Sequence, residues 1–523
     1  MADHVIDHTA PRVGSVDRYS PAVLLSLALA FGLLAQYLFY RTALGINVGI
    51  ASAMILAVAW RIRPAGARID RLDRWIAPAA IVFAFLPALR VDLMLLLFDI
   101  PATLVLVTMA AVSFAGVRLT RRAVDLLVIL GLVVVGRIVA GGALLLAALP
   151  DLGRPLARRG GGRIASVGIG IALAFPFLVV FALLFASADA VFSSAVNNVF
   201  DFRKWSIGDL VGRVFVAALF AWVAGGLFIV AGRSADPTIP ALLPRLRGVL
   251  SSTAGLTALV AIDALFVFFV ALQIAYLFGG IDTLNATGLT YSAYARRGFF
   301  ELIAVAVIAG GLLFSVELVV ARRTRLYVGA ALTLALATLV IVVSAAYRMQ
   351  LYQLAYGWTE QRFYALAGIA WLGAGGACAA VLVWRDATRW LLHAAGLIGL
   401  AVAIAINLVG PAAFVARQDL ERVIDPSGLP ADAYRGLDAY YLGTLGDGAI
   451  PTLVEFLPRL GDSDRAALGS TIRTLSLEGR DLGAASLPGF SLDRERARQA
   501  LLGAADELRR YPLRLPTPLP RGP

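Results

Sequence analysis

The residues most able to do chemistry in this chain are ionisable side chains set inside apolar stretches. Each costs about 2.5–3.5 kcal/mol to place at the centre of a membrane helix. Asp263 lies eight residues into the stretch 255–280, and Gln273 follows ten positions later. Glu301 stands four residues after Arg297, the spacing of a helical ion pair at a helix end. Glu317 approaches Arg322 and Arg323 and reads as a carboxylate reaching back to them. Asp263 has no basic residue within one helical turn. A partner from elsewhere, such as Arg137, makes it structural; no partner makes it a proton site. Asp92 and Asp99, in a broken apolar region, read as markers of an outer turn.

Two segments concentrate polar and aromatic side chains: Tyr291–Leu302 and Arg348–Arg362. In the second, Arg348, Tyr352 and Tyr356 recur at i, i+4 and i+8, one stripe of a helix. Such a stripe can grip a carboxylate or an anionic headgroup through the guanidinium, with tyrosine hydroxyls as further donors. The competing reading is an aromatic belt with arginine anchors at the membrane boundary. The density of polar groups argues beyond a belt. The candidate polar membrane site is therefore Asp263, Gln273, Tyr291, Tyr294, Arg296, Arg297, Glu301, Arg348, Tyr352, Tyr356, Glu360 and Arg362. It would take a small molecule or a lipid.

Other chemistries fail on counts. One cysteine, Cys378, and three histidines, His4, His8 and His393, cannot supply the three or four ligands of a zinc site, and one cysteine makes no internal disulfide. Lys204 is the sole lysine and stands in Asp-Phe-Arg-Lys-Trp, outside any phosphate-binding glycine loop. His393, beside Trp390-Leu391-Leu392, has no nucleophile and acid near it in sequence and reads as interfacial. No catalytic residue, metal or cofactor is expected, and an enzyme is the less favoured class.

The elements that must carry these residues follow from composition. Sixty per cent of the 523 residues are hydrophobic and 15% charged, with a mean hydropathy of +0.81. Soluble chains carry about 25% charged residues. The fold class is an all-α polytopic membrane bundle. A hydrocarbon core of about 30 Å needs roughly 20 helical residues. By that measure spans are expected at 21–40, 43–60, 164–186, 209–231, 255–280, 299–320, 326–346, 363–384 and 391–410, with two more in 75–117, broken near Arg90-Val91-Asp92. That makes eleven, with an uncleaved first span after a polar tail, 1–20. Residues 123–149 are ambiguous, since Arg137 and four glycines interrupt them. If they do not cross, the arginine-rich loops at 61–74, 118–122, 154–163, 233–247, 322–325 and 385–389 share one side, as the positive-inside bias requires. A re-entrant or interfacial 123–149 is thus favoured, placing the N-terminus in the cytoplasm and residues beyond 410 outside; twelve spans would return both ends inside.

From Pro411 the pattern changes. Residues 411–523 hold 14 arginines against 15 acidic groups, whereas the rest holds 32 basic against 19 acidic. The basic excess lies in loops between apolar runs, not on a soluble face with interleaved aromatics, so nucleic acid is not expected as a partner. Residues 491–510 predict an amphipathic helix, with Ser491 as N-cap, Asp493 and Glu495 in its first turn, and Ala497, Leu501, Ala505 and Leu508 as its buried stripe. Shorter stretches at 433–445, 448–460 and 464–477 complete a small extramembrane all-helical domain, 411–511, before a Pro-rich tail, 512–523, expected to be disordered.

Tyr294-Ala-Arg-Arg-Gly-Phe-Phe-Glu-Leu302 resembles the marker segment of a domain-of-unknown-function family of bacterial multi-pass membrane proteins. Arg348–Arg362 is similar to its second marker, and Gln273–Gly280, Asp438–Pro451 and Asn407–Arg422 also resemble it, with Asp419 where asparagine is expected. The likeness spans about 164–460. It implies the bacterial cytoplasmic membrane and supplies no activity. Of the classes left, a transporter or permease is narrowly preferred to an envelope sensor or scaffold that presents residues 411–511 to a protein partner.

Overall fold

The computed structural model describes residues 19–120, 131, 133–142, 207–232, 250–278, 299–320, 322–430, 433–477 and 487–513. The described elements are helical, and they fall into two compact units: residues 1–84 with 103–239, and residues 85–102 with 240–523. Among the described residues, eight helices are long and apolar enough to cross a membrane by length and composition.

In the first unit lie α1 (Pro21–Phe39), α2 (Ile46–Ile62), most of α3 (Ile76–Leu89), the later part of α4 (Leu93–Phe114) and α5 (Ile207–Gly232). Helices α1 and α5 pack along each other, with the rings of Phe39 and Phe220 stacked 4.8 Å apart. Their ends are pinned by polar contacts: Arg41 pairs with Asp209 at 2.9 Å, and Arg213 donates to Gln36 at 3.0 Å. Buried Asp73 accepts the N–H groups of Leu119 and Thr120, each at 2.9 Å, closing the loop after α4. The expected span 164–186 and most of 123–149 lie outside the described residues; Val133–Gly142 is a short apolar helix on which Arg137 is exposed.

The second unit begins with the α3–α4 turn, which falls at Arg90-Val91-Asp92 as expected. Asp92 caps α4 by accepting the N–H of Met94 at 2.8 Å and of Leu95 at 3.2 Å. Then come α6 (Ser252–Phe278), α7 (Phe299–Val319), α8 (Arg325–Tyr356), α9 (Glu360–Trp384) and α10 (Leu391–Val409). On α6 the buried positions Gly255, Leu259, Asp263 and Gln273 form one face, while Leu265 and Phe268 are 66% and 63% exposed on the other. Large apolar side chains so exposed along a whole helix face need lipid, not water. Helix α8 has 32 residues. At 1.5 Å per residue it spans about 48 Å, so roughly 12 residues project beyond the hydrocarbon. It runs past the expected 346 because its first breaker is Gly357, at φ +80°.

Beyond Gly410 the helices are short: α11 (Pro411–Ile424), α12 (Ala439–Thr444), α13 (Ile450–Phe456), α14 (Asp462–Leu477), α15 (Leu492–Gly503) and α16 (Ala505–Leu508). They share a core that includes Val415, Leu420, Leu442, Leu453, Phe456 and Leu501, and Trp358 and Phe363 pack against it. Each such buried side chain stabilises by about 1.5–3 kcal/mol. The expected helix 491–510 breaks after Gly503, and the break shifts the stripe by one residue: Ala504, not Ala505, takes the buried place between Leu501 and Leu508. Ser491 holds the N-cap position without capping, its hydroxyl lying 3.5 Å from the Leu89 carbonyl.

Candidate functional site

The projecting end of α8 gathers most of the polar groups singled out in the sequence. Arg348 and Ser344, one turn apart, both donate to Gln273 Oε1 of α6, at 3.2 and 3.0 Å. All three are buried, so a guanidinium and an amide meet between two membrane helices. Two turns on, the rings of Tyr352 and Tyr356 meet edge to face at 5.1 Å, and the Arg362 guanidinium lies 4.1 Å from the Tyr352 ring centre. The tyrosine stripe therefore receives a cation of the chain itself. Arg362 also donates to the Gly357 carbonyl.

Helix α11 closes this end. Asp419 Oδ1 accepts the Trp358 N–H at 2.7 Å. Gly357 is required here twice over: its φ is +80°, and a Cβ would stand 2.9 Å from that carboxylate. One turn along α11, Arg422 donates to the carbonyls of Gln353, Leu354 and Ala355 at 3.2, 2.7 and 2.9 Å, and to that of Tyr434. The first three belong to the last turn of α8, where Gln353 also accepts the Gly357 N–H and Ala355 the Tyr434 N–H, so the cation also faces the negative end of the helix dipole. Tyr441 accepts the Glu360 N–H at 2.8 Å and joins α12 to the start of α9.

Helix α10 is finished the same way. Arg90 donates to the carbonyls of Asn407 and Leu408 and pairs with Asp493 of α15 at 3.1 Å. Gly410, at φ +74°, leaves room for that guanidinium where a side chain would collide with it, and Pro411 then starts α11. Asn407 donates to both oxygens of Asp99, at 3.2 and 3.0 Å, and Asp99 is buried. Asp99 thus lies within α4 and marks no turn, whereas Asp92 does stand in the α3–α4 turn: beyond capping α4 it accepts the Tyr364 hydroxyl at 3.0 Å.

Burial and these partners set the titration of the groups outside the spans. Burial pushes the Asp419 carboxyl up to about 6, against the opposing pull of the Trp358 N–H, Arg422 and Arg362. Burial likewise lowers Arg422, although Asp419 raises it. Asp493 is raised by burial more than Arg90 lowers it.

Of the sequence candidates, Gln273 and Arg348 are brought into contact, as are Tyr352, Tyr356 and Arg362, whereas the Glu360 backbone N–H goes to Tyr441 of α12. Glu301 is exposed at the start of α7. Tyr291, Tyr294, Arg296 and Arg297 lie outside the described residues. Asp263 is buried, and its Oδ1 has no hydrogen-bond partner among the described residues. Glu317 meets Arg323 at 3.2 Å, the reach-back expected of it. Among the described residues no three His, Cys, Asp or Glu side chains stand close enough to hold a metal. Arg90, Asp419, Arg422 and Asp493 stand outside the sequence candidates, and all are ends of long-range contacts. In the sequence they stand only as a turn residue (Arg90), a first-turn acid (Asp493) and two members of the segment Asn407–Arg422.

Chemically, the arrangement is a set of clasps. Arginines close the carbonyl ends of α8 and α10, and carboxylates on α11 and α15 hold the opposite sides. No curated protein and no solved structure matches the chain. A family model described as Domain of unknown function (DUF4153) matches residues 77–456, which takes in the α3–α4 turn, helices α6 to α10 and α11 to α13. The chain is an integral membrane protein that belongs to the DUF4153 family.

Proposed function

We propose that this protein is an envelope scaffold or sensor that holds its C-terminal helices, 411–511, at the membrane surface for a protein partner. The observation that carries this reading is the use of the polar residues at the end of α8: Asp419 and Arg422 are taken up by contacts that fasten α11 to it, and Arg362 by the Tyr352 ring and the Gly357 carbonyl. A ligand site would keep such groups for the ligand, whereas a presenting device uses them for rigidity. The surrounding membrane is the bacterial cytoplasmic membrane, crossed eleven times, with the N-terminus in the cytoplasm and residues 411–511 outside. A reporter fused after residue 410 that is active in the cytosol refutes that orientation. For the function, a gene-deletion strain receives the full chain, a chain ending at Gly410, or the Arg422→Ala chain, with membrane levels matched by immunoblot. If the truncated chain restores every phenotype, the scaffold reading fails.

A transporter-like activity is the second reading, favoured by one observation: the partnerless Oδ1 of Asp263 among the described residues of α6 and its neighbours. Ionisable groups kept at such cost mark ion and proton paths in membrane proteins. An Asp263→Asn strain that grows and accumulates solutes like wild type removes this reading.

A further inference from the structure

The inner faces of α7, α8, α9 and α10 leave a cavity of about 290 Å³. Two glycine pairs, Gly310-Gly311 on α7 and Gly375-Gly376 on α9, make the space, and Trp371 and Leu392 wall it. Its lining is apolar apart from Thr338 and the Trp371 indole, whose N–H is already given to the Ala395 carbonyl at 3.0 Å. A Cβ added at Gly310, Gly311 or Gly375 meets nothing within 4 Å. Val307, Gly310, Gly311 and Leu392 are exposed, so the slot opens on the outside of the bundle, where acyl chains are the solvent.

Leu391 and Leu392 bring the slot to the end of the bundle where α7 and α9 finish and α8 and α10 begin. That end is cationic. Arg322, Arg325, Arg385 and Arg389 are exposed there. The nearby acids are already engaged, since Arg323 takes both Glu317 and Asp386. Arg389 lies 5.5 Å from the Trp390 ring centre, in the turn that leads into α10 and the slot. An apolar slot reaching into the hydrocarbon beneath exposed surface arginines has the two-part chemistry of an anionic phospholipid.

We propose that this slot binds one acyl chain of an anionic phospholipid whose phosphate rests on Arg385 and Arg389. The lipid fills space that the glycines leave open and neutralises the arginine end of α9 and α10. The site is separate from the clasps at the other end of these helices, and the proposal does not rest on the scaffold reading.

Fluorescence quenching tests it. The full chain is placed in phosphatidylcholine nanodiscs containing either phosphatidylglycerol or phosphatidylcholine brominated along the acyl chain, and the Trp371→Phe chain gives the background to subtract. Trp371 quenching is expected to saturate at a lower mole fraction of phosphatidylglycerol, by several-fold and at most about 30-fold for two arginines near the headgroup. Gly375→Leu fills the slot and abolishes the saturable part of the Trp371 quenching by either lipid, leaving only the linear part from bulk lipid; Gly310→Leu, entering the same empty space, serves as a second plug should the first reduce yield. Arg385→Gln together with Arg389→Gln removes the difference between the lipids while leaving quenching in place. Equal quenching by both lipids in the wild-type chain, or saturable quenching that survives both plugs, overturns the proposal.

Discussion

Replacing Asp419 with asparagine tests the clasp on α8 most directly. The native carboxylate accepts the Trp358 N–H at 2.7 Å, and an asparagine oxygen can accept the same bond. What changes is the charge. The Asp419 carboxyl titrates at about 6 in the folded chain because burial disfavours its ionised form more than the Trp358 N–H, Arg422 and Arg362 favour it. An unfolded aspartate titrates at about 3.9. Between these values the folded state binds the extra proton, so stability falls as pH rises from about 4 to 6 and is level above. A displacement of that size corresponds to about 3 kcal/mol. The residue is partly buried, not sealed, so about 2 kcal/mol is the working figure. The Asp419→Asn chain has no charge to desolvate at this position. The variant should lie closest to wild type at the acid end, near pH 4.5, exceed it by about 2 kcal/mol at pH 8, and lose this part of the pH dependence. Denaturant unfolding of the protein in nanodiscs, followed by tryptophan emission between pH 4.5 and 8, measures both chains. A variant less stable than wild type at pH 8 would show that the charged carboxylate gains more from Arg422 and Arg362 than burial takes away, and the reasoning would fall.

Arg422→Ala strips a donor from the carbonyls of Gln353, Leu354 and Ala355; a loss of about 2–4 kcal/mol is expected, seen as faster proteolysis within residues 411–440, and unchanged cleavage argues against the clasp. Gly410→Ala meets both a left-handed φ of +74° and the Arg90 guanidinium; destabilisation of about 1–3 kcal/mol should appear as lost amide protection where α10 passes into α11. The Arg323–Glu317 pair is buried, with side-chain exposures of 11% and 2%. Glu317→Gln leaves that arginine with exposed Asp386 as its charged partner beside the Val383 carbonyl, and a cost of about 3 kcal/mol or more, insensitive to added salt, distinguishes it from a surface pair. Leu420, fully buried in the core of the C-terminal helices, should cost about 2–5 kcal/mol on change to alanine, read from the same unfolding curves.

Much was legible in the linear pattern because it depends on short-range rules. Apolar run length against bilayer thickness announced the membrane helices, and Arg90-Val91-Asp92 announced the α3–α4 turn, since charges and an N-cap cannot sit inside a span. The i, i+4, i+8 spacing of Arg348, Tyr352 and Tyr356 described a real stripe, because α8 continues unbroken to Gly357. The stripe 497–508 was right in kind and wrong by one residue at its end, because the break after Gly503 shifts the helical phase and no periodic template anticipates it. The assignment of Asp99 to an outer turn failed for another reason: its partner, Asn407, lies 308 residues away.

That distance marks the division. Composition and periodicity alone determined that this chain lives in lipid, that residues near 497–508 carry a buried stripe, and where its character changes at Pro411. Which charge answers which was decided only by the fold. Arg90 finds Asp493 across 403 residues and Arg422 finds the end of α8 across 67. A helix pattern records burial at each position but carries no address for a partner. Whether a buried arginine clasps a helix end or waits for a ligand is therefore settled only when the helices pack.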